Sequence, residues 1–262
     1  MSDQKAEFNQ TAFNPADYVQ PELPLKGVVS KDKRWYELAR IAQEEHDDIL
    51  ANRLPREIYV NNRATHDRQQ EILAEQIGID PLTLLPNRAS FDERLTVLVS
   101  DARRTKRAVN VLFMDMDRFK EINDLADHDT GDLILQKMAQ AMNDVFHRGS
   151  DLKSRRGGDE FTAGLVDTDL KNTVMLCRKL QAVFDNLQDQ VSAQRVKDRQ
   201  SPLPNKVTLS IGIAPFNGQD PAALITQADG AMYSAKKSNT PGSIHIAHQG
   251  QFIDAEELLK AA

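Results

Sequence analysis

Gly157-Gly158 stands between two short runs, residues 153–156 and 160–166, that can pair as antiparallel strands. Glycine reaches positive φ without a steric penalty, so a double glycine suits the tight turn of a hairpin. That hairpin carries Asp159 and Glu160 at its tip. Upstream, residues 109–115 (VNVLFMD) form a short apolar run fit for a buried strand, and the run ends in Asp115-Met116-Asp117. If the hairpin pairs beside this strand, two acidic clusters meet at one end of a sheet.

The flanking segments supply helices. Between residues 131 and 147, Ile134, Met138, Ala141, Met142 and Val145 fall on one helical face. A helix is predicted over 170–187, a polar excursion to 205, a strand over 207–214, a helix over 221–237 and a last strand near Ile244. The sum is an α/β domain of about five strands with helices on its faces. Cys177 lies among Val174, Leu180 and Val183 at helical spacing, which predicts a buried thiol.

Before residue 79 the pattern differs. Residues 1–28 mix Pro15, Pro21 and Pro24 with isolated aromatics and read as an extended arm. Residues 29–78 read as a helical region, a hairpin or dimerising stalk, with Pro55 and Gly78 as stops. His46 and His66 are too few for a structural metal site, which normally needs about four converging ligands. No apolar run approaches the ~20 residues that span a bilayer, and the polar, acid-bearing N-terminus is unlike a secretory signal. A cytoplasmic protein is the expectation. The net charge of -6 gives no global attraction to nucleic acid, so any nucleotide is expected to be a small molecule held through metal.

Asp115 and Asp159 would be hard oxygen ligands, the type magnesium prefers alongside phosphate oxygens. Either acidic fragment alone is also compatible with an ordinary surface loop end. The hexapeptide Arg156-Gly157-Gly158-Asp159-Glu160-Phe161, however, resembles the complete signature of the GGDEF family of diguanylate cyclases. Asp80-Pro81-Leu82-Thr83 through Pro86-Asn87-Arg88 resembles the family's opening motif. The stretch Phe119-Lys120-Glu121-Ile122-Asn123-Asp124, with His128 and Gly131-Asp132, resembles its guanine-binding segment. Val207 to Gly212 and Ala228 to Lys236 are similar to its later strand and helix, so the likeness runs from about residue 80 to 246.

The resemblance implies a palm-like nucleotidyl-cyclase domain at 79–250, followed by a tail at 251–262. It implies condensation of two GTP into cyclic di-GMP by a homodimer with Mg²⁺ or Mn²⁺. Asp115, the Met116 carbonyl, Asp159 and Glu160 would hold metal, and Asp159 would accept a proton. Phe119, Asn123, His128 and Asp132 would form the guanine site, where an amide and a carboxylate together satisfy a guanine edge and leave adenine unpaired. Lys120, in a catalytic role, and Lys236 would meet the phosphates. Arg148 and Asp151 match the family's Arg-x-x-Asp motif for inhibition by the product. Two positions depart from the pattern: Asp127 replaces a usual glycine, and Thr240 replaces a phosphate-contacting arginine for which Lys237 is a poor substitute. The second departure keeps open a non-catalytic domain that binds cyclic di-GMP as an effector.

Overall fold

The computed structural model describes residues 78–238 and 240–261. The arm expected at 1–28, nearly all of the helical region expected at 29–78, His46, His66 and Asn239 lie outside the described residues. The elements run α1 (Arg88–Thr105), β1 (Val109–Asp117), α2 (Phe119–Leu125), α3 (His128–Val145), β2 (Leu152–Gly157), β3 (Glu160–Val166) and α4 (Leu170–Lys197). They continue through β4 (Thr208–Pro215), α5 (Pro221–Lys236), β5 (Ile244–His248), β6 (Gln251–Asp254) and α6 (Ala255–Ala261).

The strands form one sheet in the order β2-β3-β1-β4-β5-β6. All neighbours are antiparallel except β4 and β5, which are joined through the crossover helix α5 and run parallel. β1 sits in the middle because both faces of its apolar run must be covered. Leu112, Met114 and Met116 point to a core shared with α2, α3 and α4, while Val111 and Phe113 point to a second core shared with α1 and α5. The helices start where short polar side chains take up free amides: Asn87 caps α1, Asp127 α3, Asp169 α4 and Asp220 α5.

Three boundaries differ from the sequence reading. The sheet has six strands rather than about five, and the stretch read as a tail supplies β6, which pairs with β5, and then α6. β6 was hidden because its residues are half-buried or exposed, so they show no apolar run. Helix α4 continues to Lys197, ten residues past the predicted end. Its added turns are mostly polar and exposed, yet Gln188 among them is fully buried. The hairpin and its turn are as the glycine pair predicts, with Gly157 at φ 146 and Gly158 at φ 55, and β3 does pair beside β1, the condition for the two acidic clusters to meet.

Candidate active site

The register of the sheet brings the two acidic clusters together. Asp115 on β1 lies directly opposite Glu160 on β3, so their side chains share the α1/α5 face of the sheet. The Met116 amide donates to the Asp159 carbonyl at 3.3 Å, which fixes the hairpin tip against the end of β1. Lys236, on the last turn of α5, places Nζ 2.5 Å from Asp115 Oδ1. Burial pushes the Asp115 carboxyl up, the Lys236 hydrogen bond pulls it back, and the nearby charges of Asp159 and Asp117 raise it further. Burial pulls the Lys236 ammonium down, but the hydrogen bond and charge of Asp115 outweigh it and its affinity for a proton rises. The site is thus an acid-rich end of the sheet with one cation set into it.

Asp117 has a different task. It accepts from Thr208 Oγ1 at 2.6 Å, Ser210 Oγ at 2.7 Å and the Gly242 amide at 3.2 Å, so its oxygens are spent on tying β1 to β4 and to the strand-entry loop of β5. The carboxylates left for a ligand are Asp115, Asp159 and Glu160. Among the described residues no three Asp, Glu, His or Cys side chains converge as a closed metal cage. The donor set fits an ion held by one or two carboxylates and completed by phosphate oxygens and water, the usual manner of magnesium.

Two arginines hold the tip: Arg156, which opens the signature hexapeptide but carried no role in the sequence reading, and Arg155, which that reading missed. Arg155 donates through Nε to the Gly158 carbonyl at 2.9 Å and reaches Asp80 at 3.1 Å, and Asp80 in turn accepts from the Thr83 amide at 2.8 Å. Arg156 pairs with Asp92 of α1 at 2.8 Å and stacks its guanidinium 5.8 Å from the Phe113 ring centroid. The opening motif is therefore a brace for the glycine turn. Its partner Arg155 could have been suspected only from standing next to the signature.

The segment that resembles the family's guanine-binding stretch is two helices joined by Ala126 and Asp127. A Cβ on Gly131 would fall 1.9 Å from Asn123 Oδ1 and 3.4 Å from the Phe119 ring. Asn123 thus lies against Gly131 in the first turn of α3, next in sequence to Asp132, and the ring of the largely buried Phe119 approaches the same glycine. Lys120, His128 and Asp132 are exposed around it. Asp127 sits at φ -170, extended backbone that any residue adopts, and its side chain caps α3 by accepting from the Thr130 amide at 2.6 Å. The Thr130 side chain and amide, with the Arg195 guanidinium nearby, hold its carboxyl below the usual carboxylate range. An aspartate in place of the usual glycine therefore meets no left-handed backbone here.

Arg148 and Asp151 are close, with the Asp151 amide donating to the Arg148 carbonyl at 3.0 Å. They precede β2 at the Val109 end of β1, about six residues and so ~20 Å along the strand from Asp115. Arg148 is exposed and touches Thr168 Oγ1 at 3.3 Å. Asp151 is buried, which pushes its carboxyl up, and its Oδ1 has no hydrogen-bond partner. Thr240 is exposed, and Lys237 beside it has its ammonium 4.2 Å from the Tyr233 ring centroid rather than free toward the acids.

A domain with this sheet, this hairpin tip and this acid set belongs to one family. The family model described as diguanylate cyclase, GGDEF domain, matches residues 77–241, and the chain is a member of the GGDEF family. It is 39% identical over 165 residues to the diguanylate cyclase TpbB of Pseudomonas aeruginosa, a match that takes in 63% of this chain and 36% of that relative. It is 36% identical over 169 residues to the diguanylate cyclase DosC of Escherichia coli, covering 64% of this chain and 35% of that one. The chain therefore aligns with about a third of the length of these curated relatives. Among solved structures, the GGDEF domain of TpbB superposes with a TM-score of 0.54 at 36% identity, over 63% of this chain and 98% of that one. The diguanylate cyclase SiaD of Pseudomonas aeruginosa, solved with its activator SiaC, superposes with a TM-score of 0.56 at 26% identity, over 82% of this chain and 80% of that one. No described helix is long and apolar enough to cross a membrane.

Proposed function

We propose that the chain is a diguanylate cyclase acting in the cytoplasm, in which two copies join two GTP into cyclic di-GMP and release two pyrophosphates. The observation that carries this reading is the pairing of Asp115 with Glu160 at the sheet end, with Lys236 set on Asp115 and Asp159 at the adjoining turn. Each protomer would hold one GTP, and each ribose 3′-hydroxyl would attack the α-phosphate of the other nucleotide as its pyrophosphate leaves. Asp115, the Met116 carbonyl, Asp159 and Glu160 would hold Mg²⁺ or Mn²⁺. When bound, the ion would offset phosphate charge and ease deprotonation of the hydroxyl. Asp159 would receive that proton.

The remaining residues do the positioning. Asn123 and Asp132 would hydrogen-bond the guanine edge over Phe119, with His128 beside the nucleotide. Lys120 and Lys236 would place positive charge against the phosphates, where charge builds in the transition state. With Thr240 in the place of an arginine and Lys237 turned onto Tyr233, GTP binding rests on fewer phosphate contacts. Arg148 and Asp151 would bind the product and restrain turnover, and their adjacency in the loop before β2, with the Arg148 guanidinium exposed, supports this.

The exposed Thr240, with Lys237 turned onto Tyr233, favours a second reading, a domain that binds cyclic di-GMP without making it. Purified protein with GTP and Mg²⁺ decides between them. Cyclic di-GMP from the wild type and at least about 100-fold less from Asp159→Ala is expected for a metal-held acid that also moves a proton. Binding of cyclic di-GMP with no synthesis would replace the cyclase by the effector.

A further inference from the structure

The last turns of α4 and the loop returning to β4 brace both α2 and α3. Gln188, fully buried, accepts from the Val207 amide at 2.8 Å and donates to the Val207 carbonyl at 3.0 Å, so the two ends of this excursion are tied together. From that platform Arg195, its side chain only 14% exposed, donates to the Ser201 carbonyl at 2.9 Å and to the Thr130 hydroxyl, and lies 3.6 Å from Asp127. Asn205 Nδ2 donates to Glu121 Oε2 at 3.0 Å.

These contacts fall on both sides of the base-binding residues. Asp127 and Thr130 are the cap and first turn of α3, and Glu121 is in the first turn of α2. A helix of seven residues such as α2 is not stable by itself and takes its place from tertiary contacts. The angle between α2 and α3 decides whether Asn123 and Asp132 can meet one guanine edge together.

We propose that Arg195 and Asn205 are positioning residues that hold α2 and α3 in the geometry that selects GTP, without touching the nucleotide. The inference rests on the guanine-binding reading of Asn123 and Asp132. It gives Asp127 a purpose that a glycine at that position would not serve: its carboxylate caps α3 and faces Arg195 at once.

The test compares full-length wild type, Arg195→Ala, Arg195→Lys and Asn205→Ala. Steady-state kinetics with GTP and Mg²⁺ are measured beside the affinity for a non-hydrolysable GTP analogue and its ATP counterpart. Arg195→Ala is expected to raise KM and the analogue Kd about tenfold, to narrow the preference for guanine, and to leave kcat within about twofold. Arg195→Lys should recover part of the loss, because it keeps the charge but not the fork. Unchanged KM and analogue affinity in all variants, or a fall in kcat and thermal stability with KM unmoved, would overturn the proposal. If Arg195→Ala does not fold, Arg195→Lys and Asn205→Ala decide by the same criterion. A wild type that binds the analogue but makes no product refutes the cyclase alone, and the analogue affinities still judge the brace. A wild type that binds neither analogue refutes both.

Discussion

At the scale of single residues, the site depends on which oxygens are free and which are spent. Asp115 and Asp117 are two apart on one strand and share a face, yet only Asp115 is available, because Asp117 already accepts three hydrogen bonds. Spacing could not separate these two roles, since the hydroxyls that occupy Asp117 come from β4, about ninety residues later. Gly131 offers a direct test of the base-binding arrangement. In Gly131→Ala the new methyl would occupy the space of Asn123 Oδ1, a movable side chain, rather than backbone. The fold should survive with a loss of about 1 kcal/mol or less, while the KM for GTP rises about tenfold. An unchanged KM with Asn123 displaced would remove that residue from the guanine site. Cys177 has no such role: burial pushes its thiol up to about 12, and it serves as packing, as its helical neighbours in the sequence imply.

At the scale of elements, the legible parts of the fold were those in which one short pattern determines one structure. The glycine pair fixes the hairpin, the apolar run of β1 fixes a strand covered on both faces, and Asp220-Pro221 fixes the start of α5. The extension of α4 and the strand β6 escaped because each is stabilised by contacts far away in sequence. Gln188 replaces a strand partner for Val207, and β6 is held by its ladder with β5. The same distance hid Arg195, whose partner Thr130 is 65 residues away. The packing of α5 on the sheet is sharper than any pattern suggests: a Cβ on Gly212 would lie 2.0 Å from the Ala228 carbonyl oxygen and 2.1 Å from the Met232 amide nitrogen. Backbone cannot yield as a side chain does, so Gly212→Ala is expected to cost about 3 kcal/mol or more, read as a lowered midpoint in urea. A midpoint equal to wild type would mean that α5 can lift from β4 freely.

At the scale of the whole molecule, the proposed chemistry needs two domains face to face, since each supplies one nucleotide. The region at 29–78, read in the sequence as a possible dimerising stalk, would then act by raising the local concentration of one domain around the other. Deleting residues 1–75 should lower turnover per chain far more in dilute than in concentrated protein. Equal loss at every concentration would deny the region that role. Asp115 and Glu160 lie at the turn end of the β2–β3 hairpin and Arg148 and Asp151 near its open end, so a ligand at the proposed product motif need not block the nucleotide directly.

The central claim is that the acids at the end of β1 convert GTP into cyclic di-GMP. The most direct measurement follows cyclic di-GMP and pyrophosphate together by chromatography, for wild type and for Asp115→Asn, with GTP and Mg²⁺. Two pyrophosphates for each cyclic di-GMP from the wild type, and neither from a folded Asp115→Asn, is the predicted result. Undiminished synthesis by Asp115→Asn, or GTP consumed by the wild type without cyclic di-GMP, would contradict it.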